Sequence, residues 1–200
     1  MTSIKNDPEI KFKDGDEVIY IFESSNSKEL LVFTNKANVY KVNLSELKDS
    51  KPSELPDIIY NYCDFEAGER DLYICTSDAG KSILIGYENG KVSKVPLSAY
   101  ETKQNRKKLT NGYGTVSQPI GFFATDDDTE YTMESDKGKL LVFNCDKVPL
   151  KTTKSTQGVQ VLRLTKDAKA IKLGKPEDYE IKSIDDYRSA NIPGSGKVKP

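Results

Sequence analysis

The chain has 200 residues, of which 36% are hydrophobic and 30% charged, so it is long enough to bury an ordinary core. It contains no histidine, which excludes Ser-His-Asp and Cys-His catalysis and HExxH zinc sites. The net charge of −1 hides strong segregation, because residues 1–80 carry nine basic and 16 acidic residues, whereas residues 137–175 carry ten basic and two acidic ones.

No stretch of the sequence approaches the roughly 18 apolar residues of a membrane span, and the first residues lack the apolar run of a signal peptide. We therefore expect a cytoplasmic protein without a membrane segment. The three cysteines, Cys63, Cys75 and Cys145, are odd in number and widely spaced, which favours reduced, buried thiols over disulfides or a zinc site. We expect no metal and no cofactor in this chain.

The phrase KELLVFTNKANVYKVNLSEL at residues 28–47 returns 53 positions later, at residues 81–100, as KSILIGYENGKVSKVPLSAY. Without a gap, this offset aligns nine identical pairs, including Tyr20 with Tyr73 and Lys41 with Lys94. Repetition at such a period indicates a fold built from repeated units.

Each copy alternates short runs rich in β-branched and aromatic residues with turn formers, a pattern typical of strands. Asn89-Gly90 is the strongest hairpin signal, because a tight primed turn needs the positive φ that Asn and Gly tolerate. No window shows sustained helical periodicity. The sequence therefore predicts an all-β protein of repeated antiparallel blades with three or four strands each.

A first basic segment (residues 103–108) follows the second copy. Residues 81–110 carry seven basic and two acidic residues, a net charge of +5. Because affinity for duplex DNA comes chiefly from Lys and Arg that displace counterions, we predict that the basic side chains of this polar loop contact phosphates. They are Lys103, Arg106, Lys107 and Lys108.

A third, looser copy begins at GFFAT (residues 121–125), and its LLVF at 140–143 repeats the LLVF at 30–33. Between these two parts lies an acidic stretch, residues 126–136, which lacks the glycine and ligand spacing of an EF-hand loop. We therefore expect a solvated insertion at this point, and not a Mg²⁺ or Ca²⁺ site.

A second basic segment (residues 151–163) follows the third copy, with Lys151, Lys154 and Arg163 interleaved with Thr and Ser, and with Gly158 expected to let the backbone approach a phosphate. Both basic segments follow the same point in their repeats, so we expect them to form a continuous DNA-binding track along one rim. The paired Lys41 and Lys94, predicted to face outward from a hairpin strand, would either extend this track or keep the sheet soluble.

These patterns predict a β-domain over residues 1–175, with repeats at about 10–62, 63–115 and 119–165. The remaining residues, 176–200, are rich in Gly, Pro, Ser and Lys near their end, which predicts a C-terminal segment with a flexible end.

The phrase LLVFTNKANVYKVNLSEL and its two echoes resemble the repeats in the C-terminal domain of bacterial type II topoisomerase A subunits, found in DNA gyrase and topoisomerase IV. The resemblance implies a β-pinwheel of about three or four four-stranded blades that binds and bends double-stranded DNA and holds no catalytic residue. It implies as partners the ATPase B subunit together with the remainder of the A subunit, and a location at the nucleoid. The glycine-rich Gln-Arg/Lys-Arg-Gly-Gly-x-Gly box typical of gyrase is absent, so the choice between a gyrase-like and a topoisomerase IV-like protein stays open.

Two other readings of the sequence stay open. A propeller-like scaffold that docks an acidic protein would use the same basic loops, since a fold does not fix a function. A stand-alone enzyme is disfavoured, because the chain has no glycine-rich phosphate loop and no convincing pair of carboxylates.

Overall fold

The computed structural model describes residues 21–48, 58–102, 104, 106–181 and 183–199. Over these residues the chain forms twelve strands and six short 3-10 helices, without an α-helix. The prediction of an all-β protein is confirmed. The chain divides into two compact units, which comprise residues 1–79 with 103–110, and residues 80–102 with 111–200.

The first unit contains one four-stranded antiparallel sheet in the order β3-β1-β2-β6. Its strands are β1 (Glu29–Thr34), β2 (Val39–Asn43), β3 (Asp71–Thr76) and β6 (Lys108–Leu109). The apolar run of β1 is buried from Leu30 onward, as expected for a central strand that is covered on both faces. Short 3-10 helices at Leu44–Glu46 and Ile59–Asn61 join the strands of this unit.

The second unit contains two four-stranded antiparallel sheets. The second sheet has the order β10-β5-β4-β7 and consists of β4 (Ser82–Tyr87), β5 (Lys91–Pro96), β7 (Pro119–Thr125) and β10 (Val159–Gln160). The third sheet has the order β11-β8-β9-β12 and consists of β8 (Glu130–Ser135), β9 (Lys139–Asn144), β11 (Ala170–Gly174) and β12 (Lys197–Val198). The 3-10 helices of this unit are Leu97–Tyr100, Cys145–Lys147, Pro176–Asp178 and Ile184–Tyr187.

All three sheets share one strand arrangement. A hairpin occupies the centre, a third strand pairs with the first hairpin strand, and a short fourth strand pairs with the second hairpin strand. In the first two sheets, the fourth strand comes from chain that follows the next hairpin: β6 follows the β4–β5 hairpin, and β10 follows the β8–β9 hairpin. Each of these sheets therefore draws on more than one sequence repeat.

The hairpin predicted at Asn89-Gly90 is confirmed, but its turn differs from the one expected. The loop between β4 and β5 has three residues, Glu88 to Gly90, and only Gly90 has a positive φ, of 76°. The Gly90 N–H donates to the Tyr87 carbonyl at 2.9 Å, which closes the turn. This is the three-residue hairpin loop with glycine at its left-handed position, and not a two-residue primed turn.

The third copy of the sequence phrase does not occupy the same position in its sheet as the first copy. Residues 30–33 lie on β1, the first strand of a hairpin, whereas residues 140–143 lie on β9, the second strand of a hairpin. The structural counterpart of β1 in the third sheet is β8, within the stretch expected to be a solvated insertion. Its Tyr131 and Met133 are fully buried, so this strand belongs to the core, whereas Asp126, Asp127 and Asp128 before it are exposed.

The third sheet has a core on each face. One face contributes Tyr131, Met133 and Leu141 to a cluster with Leu84 and Val92 of the second sheet. The other face contributes Leu140 and Val142, which are covered by Tyr179 and Tyr187 of the C-terminal segment. The C-terminal segment, for which the sequence predicts a flexible end, packs on the sheet and then adds β12 to its edge.

The three cysteines are buried, and no disulfide joins them. Burial raises the pKa of the thiols of Cys63 and Cys75 to about 12, so both stay protonated at neutral pH.

Candidate nucleic-acid interface

The second basic segment leads into β10, the fourth strand of the second sheet. Its backbone is held at both ends, because the Lys151 N–H donates to the Lys94 carbonyl at 2.9 Å and the Arg163 N–H donates to the Gly194 carbonyl at 2.7 Å. The side chains of Lys151 and Arg163 are exposed and form no ion pair with any residue that the structure describes. A fixed backbone thus presents two cations to solvent.

Lys154 is held differently from its neighbours in this segment. Its ammonium group donates to the Ala99 carbonyl at 3.3 Å and lies 5.9 Å from the centre of the Tyr100 ring. Both partners are uncharged, so the positive charge is oriented without being neutralised.

Gly158 has a role that the sequence did not predict. Its φ is 71°, and a Cβ atom at this position would lie 2.2 Å from the Val92 carbonyl oxygen. The glycine therefore allows β10 to pack against β5.

The first basic segment leads into β6 in the same way, but its lysines are paired with carboxylates. Lys107 lies 3.3 Å from Glu46, and Lys108 lies 2.6 Å from Glu66. Arg106 is exposed and makes no ion pair within the described part of the chain. Lys103 lies outside the described residues.

The predicted outward orientation of Lys41 and Lys94 is wrong. Both are only 6% exposed. The Lys41 ammonium group lies 2.9 Å from Glu29, and the Lys94 ammonium group lies 3.3 Å from Asp146. Central strands of these sheets are covered on both faces, so the alternation expected of a half-exposed strand does not apply to them. Neither lysine is available to a DNA phosphate.

Carboxylates of the acidic run that begins at Asp126 contact lysines of the same unit. Asp127 lies 2.6 Å from Lys81 and 3.7 Å from the buried Lys94, and the hydrogen bond from Lys81 lowers the pKa of Asp127. Asp126 accepts a hydrogen bond from the backbone of Lys81 at 3.1 Å. Among the described residues, no cluster of carboxylates or thiols has an arrangement suited to a metal ion.

Lys197 and Lys199 lie at the fourth-strand edge of the third sheet and were not predicted from the sequence. Lys197 lies on β12, the fourth strand of the third sheet, and the Lys199 N–H donates to the Gly138 carbonyl at 2.8 Å. Both side chains are exposed. The alternation of Lys with Val in GKVK is the sequence signal that predicts such a strand.

No helix in the described part of the chain is long and apolar enough to cross a bilayer.

Comparison with known proteins supports the sequence resemblance. The chain matches a family model described as the DNA gyrase C-terminal domain, beta-propeller, over residues 28–53 and 135–174. These ranges contain the first hairpin and the second basic segment. The A subunit of DNA gyrase from Metamycoplasma arthritidis (strain 158L3-1) is 21% identical over 173 residues, which are 84% of this chain and 19% of that protein. The chain thus spans about a fifth of this curated relative.

Three solved structures share the fold. The C-terminal domain of DNA topoisomerase IV superposes with a TM-score of 0.68 at 24% identity, covering 82% of this chain and 52% of that one. The E. coli ParC C-terminal domain gives a TM-score of 0.68 at 10% identity, with 96% of this chain and 84% of that chain covered. The DNA gyrase A C-terminal domain gives a TM-score of 0.51 at 22% identity, with 82% of this chain and 53% of that chain covered.

The resemblance seen in the repeated phrases is confirmed: the chain carries the signature of the DNA gyrase C-terminal domain family in two of its segments and the β-pinwheel fold of the gyrase and topoisomerase IV C-terminal domains.

Proposed function

We propose that this chain binds duplex DNA through the edges of its sheets that carry the short fourth strands, as the DNA-binding part of a type II topoisomerase A subunit. The observation that carries the proposal is the pair of exposed cations, Lys151 and Arg163, on a segment whose backbone is held by hydrogen bonds. Lysine and arginine contacts to phosphate supply sequence-independent affinity, and an ordered backbone reduces the entropy lost on binding.

The proposed contacts hold DNA without reading its sequence. The described residues contain no recognition helix that could enter the major groove, and the exposed cations lie on strands and loops. Cleavage, strand passage and ATP hydrolysis would belong to the B subunit or to the remainder of the A subunit. The role of this chain would be to position and bend the duplex in the cytoplasm, at the nucleoid.

The experiment measures binding of the whole chain to a duplex of a few tens of base pairs over a series of salt concentrations. Lys151→Gln with Arg163→Gln is the test variant. Lys81→Gln with Lys169→Gln is the matched control, because it makes the same change in net charge at exposed lysines already paired with Asp127 and Glu88.

We expect the test variant to bind about tenfold more weakly at 0.1 M salt and the control to change by less than about threefold. Equal losses in the two variants would contradict the assignment of this edge. An absence of binding by the unmodified chain at low salt would overturn the proposal and favour a scaffold that docks an acidic protein.

A further inference from the structure

The two basic segments have the same topological position but different electrostatic surroundings. In the first unit, Lys107 and Lys108 each face a carboxylate, from Glu46 and Glu66 respectively. In the second unit, Lys151 and Arg163 face none among the described residues, and Lys154 faces a carbonyl and an aromatic ring. The difference agrees with the acidic balance of residues 1–80.

The carboxylates that face the first basic segment are held in place by neighbouring groups. Glu46 ends the 3-10 helix after β2, and its side chain accepts a hydrogen bond from the Asn43 amide at 2.8 Å. Glu66 contacts Lys36 at 3.1 Å and Lys108 at 2.6 Å, so it joins the first hairpin to β6. Hydrogen bonds from Asn43 and Lys107 lower the pKa of Glu46, and hydrogen bonds from Lys108 and Lys36 lower the pKa of Glu66, so both are ionised at neutral pH.

We propose that Glu46 and Glu66 compete with DNA phosphates for Lys107 and Lys108, so that these two lysines of the first basic segment engage a duplex only when their ion pairs open. The inference rests on the proposed function, because it concerns the same DNA-binding activity. Exposed ion pairs of this kind stabilise a fold only slightly, so a phosphate can replace either carboxylate. The carboxylates therefore limit the contribution of the first segment without removing it.

Because of this competition, the second segment binds DNA before Lys107 and Lys108 do. The second segment is available at once, since none of its cations faces a carboxylate of the described residues. Lys107 and Lys108 add contacts only where a phosphate is held close enough to displace a carboxylate.

The test is duplex binding by the full chain with Glu46→Gln and Glu66→Gln combined. We expect about five- to tenfold tighter binding at low salt, and a slope of log affinity against log salt that is steeper by about one to two, because two more lysines release counterions. The matched control is Glu23→Gln with Glu180→Gln, which makes the same change in net charge at exposed carboxylates without an ion pair in the described residues. It should change affinity by less than about twofold.

A second pair of variants isolates the lysines. In the otherwise unmodified chain, Lys107→Gln with Lys108→Gln should weaken binding by less than about threefold, because these lysines are largely occupied. In the Glu46→Gln, Glu66→Gln background the same lysine changes should abolish the gain. Thermal unfolding of every variant shows whether the chain is folded at the binding temperature.

The outcomes separate this inference from the proposed function. If the chain binds DNA through Lys151 and Arg163 but the glutamine variants bind no more tightly than their control, competition by Glu46 and Glu66 is overturned and the proposed function stands. If the unmodified chain and the glutamine variants all fail to bind at low salt, the proposed function itself is overturned.

Discussion

At the scale of single residues, Glu69 is the most completely satisfied buried charge in the described part of the chain. Its carboxylate accepts hydrogen bonds from the Thr34 hydroxyl at 2.5 Å, the Asn38 amide at 2.8 Å and the Tyr40 hydroxyl at 2.9 Å. It also accepts one from the backbone N–H of Glu66 at 3.0 Å. Burial alone would raise the pKa of Glu69, but these hydrogen bonds outweigh burial and hold it at about 2.

This shift predicts that the first unit is sensitive to acid. The pKa of Glu69 in the folded chain lies below its ordinary value of 4.5, so the stabilisation is present above about pH 5 and is lost as the pH falls towards 2. The loss should be on the order of 2–3 kcal/mol in the free energy of unfolding. Urea unfolding at a series of pH values measures it. In Glu69→Gln, stability at pH 7 should fall by about 2 kcal/mol and the dependence on pH should flatten. An unchanged dependence would assign the acid sensitivity to other carboxylates.

Gly158 and Gly138 allow strain and steric contact to be measured separately. Both have a positive φ, but a Cβ atom at Gly158 would meet the Val92 carbonyl, whereas one at Gly138 would have no atom within 4 Å. Gly138→Ala should cost about 1 kcal/mol for its backbone conformation alone. Gly158→Ala should cost at least about 2 kcal/mol more, because β10 must move away from β5. Chemical denaturation of the two variants makes the comparison, and equal costs would refute the steric explanation.

At the scale of elements, the sequence predicted the hairpins better than the sheets. The strand pattern and Asn89-Gly90 identify the β4–β5 hairpin, because local turn chemistry and a period of two suffice for that. The pairing of β6 with β2 joins residues 108 and 40, which are far apart in the sequence, and no local pattern encodes it. The burial of Lys94 was missed for the same reason, since its counterion, Asp146, comes from a distant segment. Lys41 is paired within its own hairpin, with Glu29.

The C-terminal segment acts as a cover for the third sheet, and its removal has a measurable cost. Tyr179 is 8% exposed, packs on Leu140 and Val142, and donates a hydrogen bond from its hydroxyl to the Thr132 carbonyl at 3.0 Å. Tyr179→Ala should therefore destabilise the chain by about 3 kcal/mol and expose the apolar face of β9. Calorimetry and binding of an apolar dye follow the two effects. Ile171→Ala, at a position 53% exposed on β11, should change stability by less than about 0.5 kcal/mol. If both variants unfold alike, the segment is not a cover.

At the scale of the whole molecule, a net charge near zero is compatible with DNA binding only if the exposed cations are gathered on one kind of edge. In the second unit, Lys151, Arg163, Lys197 and Lys199 are exposed beside or on fourth strands and form no ion pair with described residues. Four such contacts predict a slope of log affinity against log salt of about −3 to −4, which amounts to roughly a hundredfold loss between 50 and 200 mM salt. Since phosphate contacts do not read bases, duplexes rich in A·T and in G·C should bind within about threefold of each other.

The salt series also tests whether the edge of the third sheet takes part in binding. Lys197→Gln with Lys199→Gln should reduce the size of the slope by about two, since each phosphate contact contributes about 0.9. An unchanged slope would restrict binding in the second unit to the second basic segment. A slope of this size that falls in steps as each lysine is removed would show that separate fourth strands add separate contacts. That outcome would give the repetition in the sequence a physical purpose, because the second and third sheets would each supply an edge at which the backbone is ordered and the cations are free to meet a phosphate.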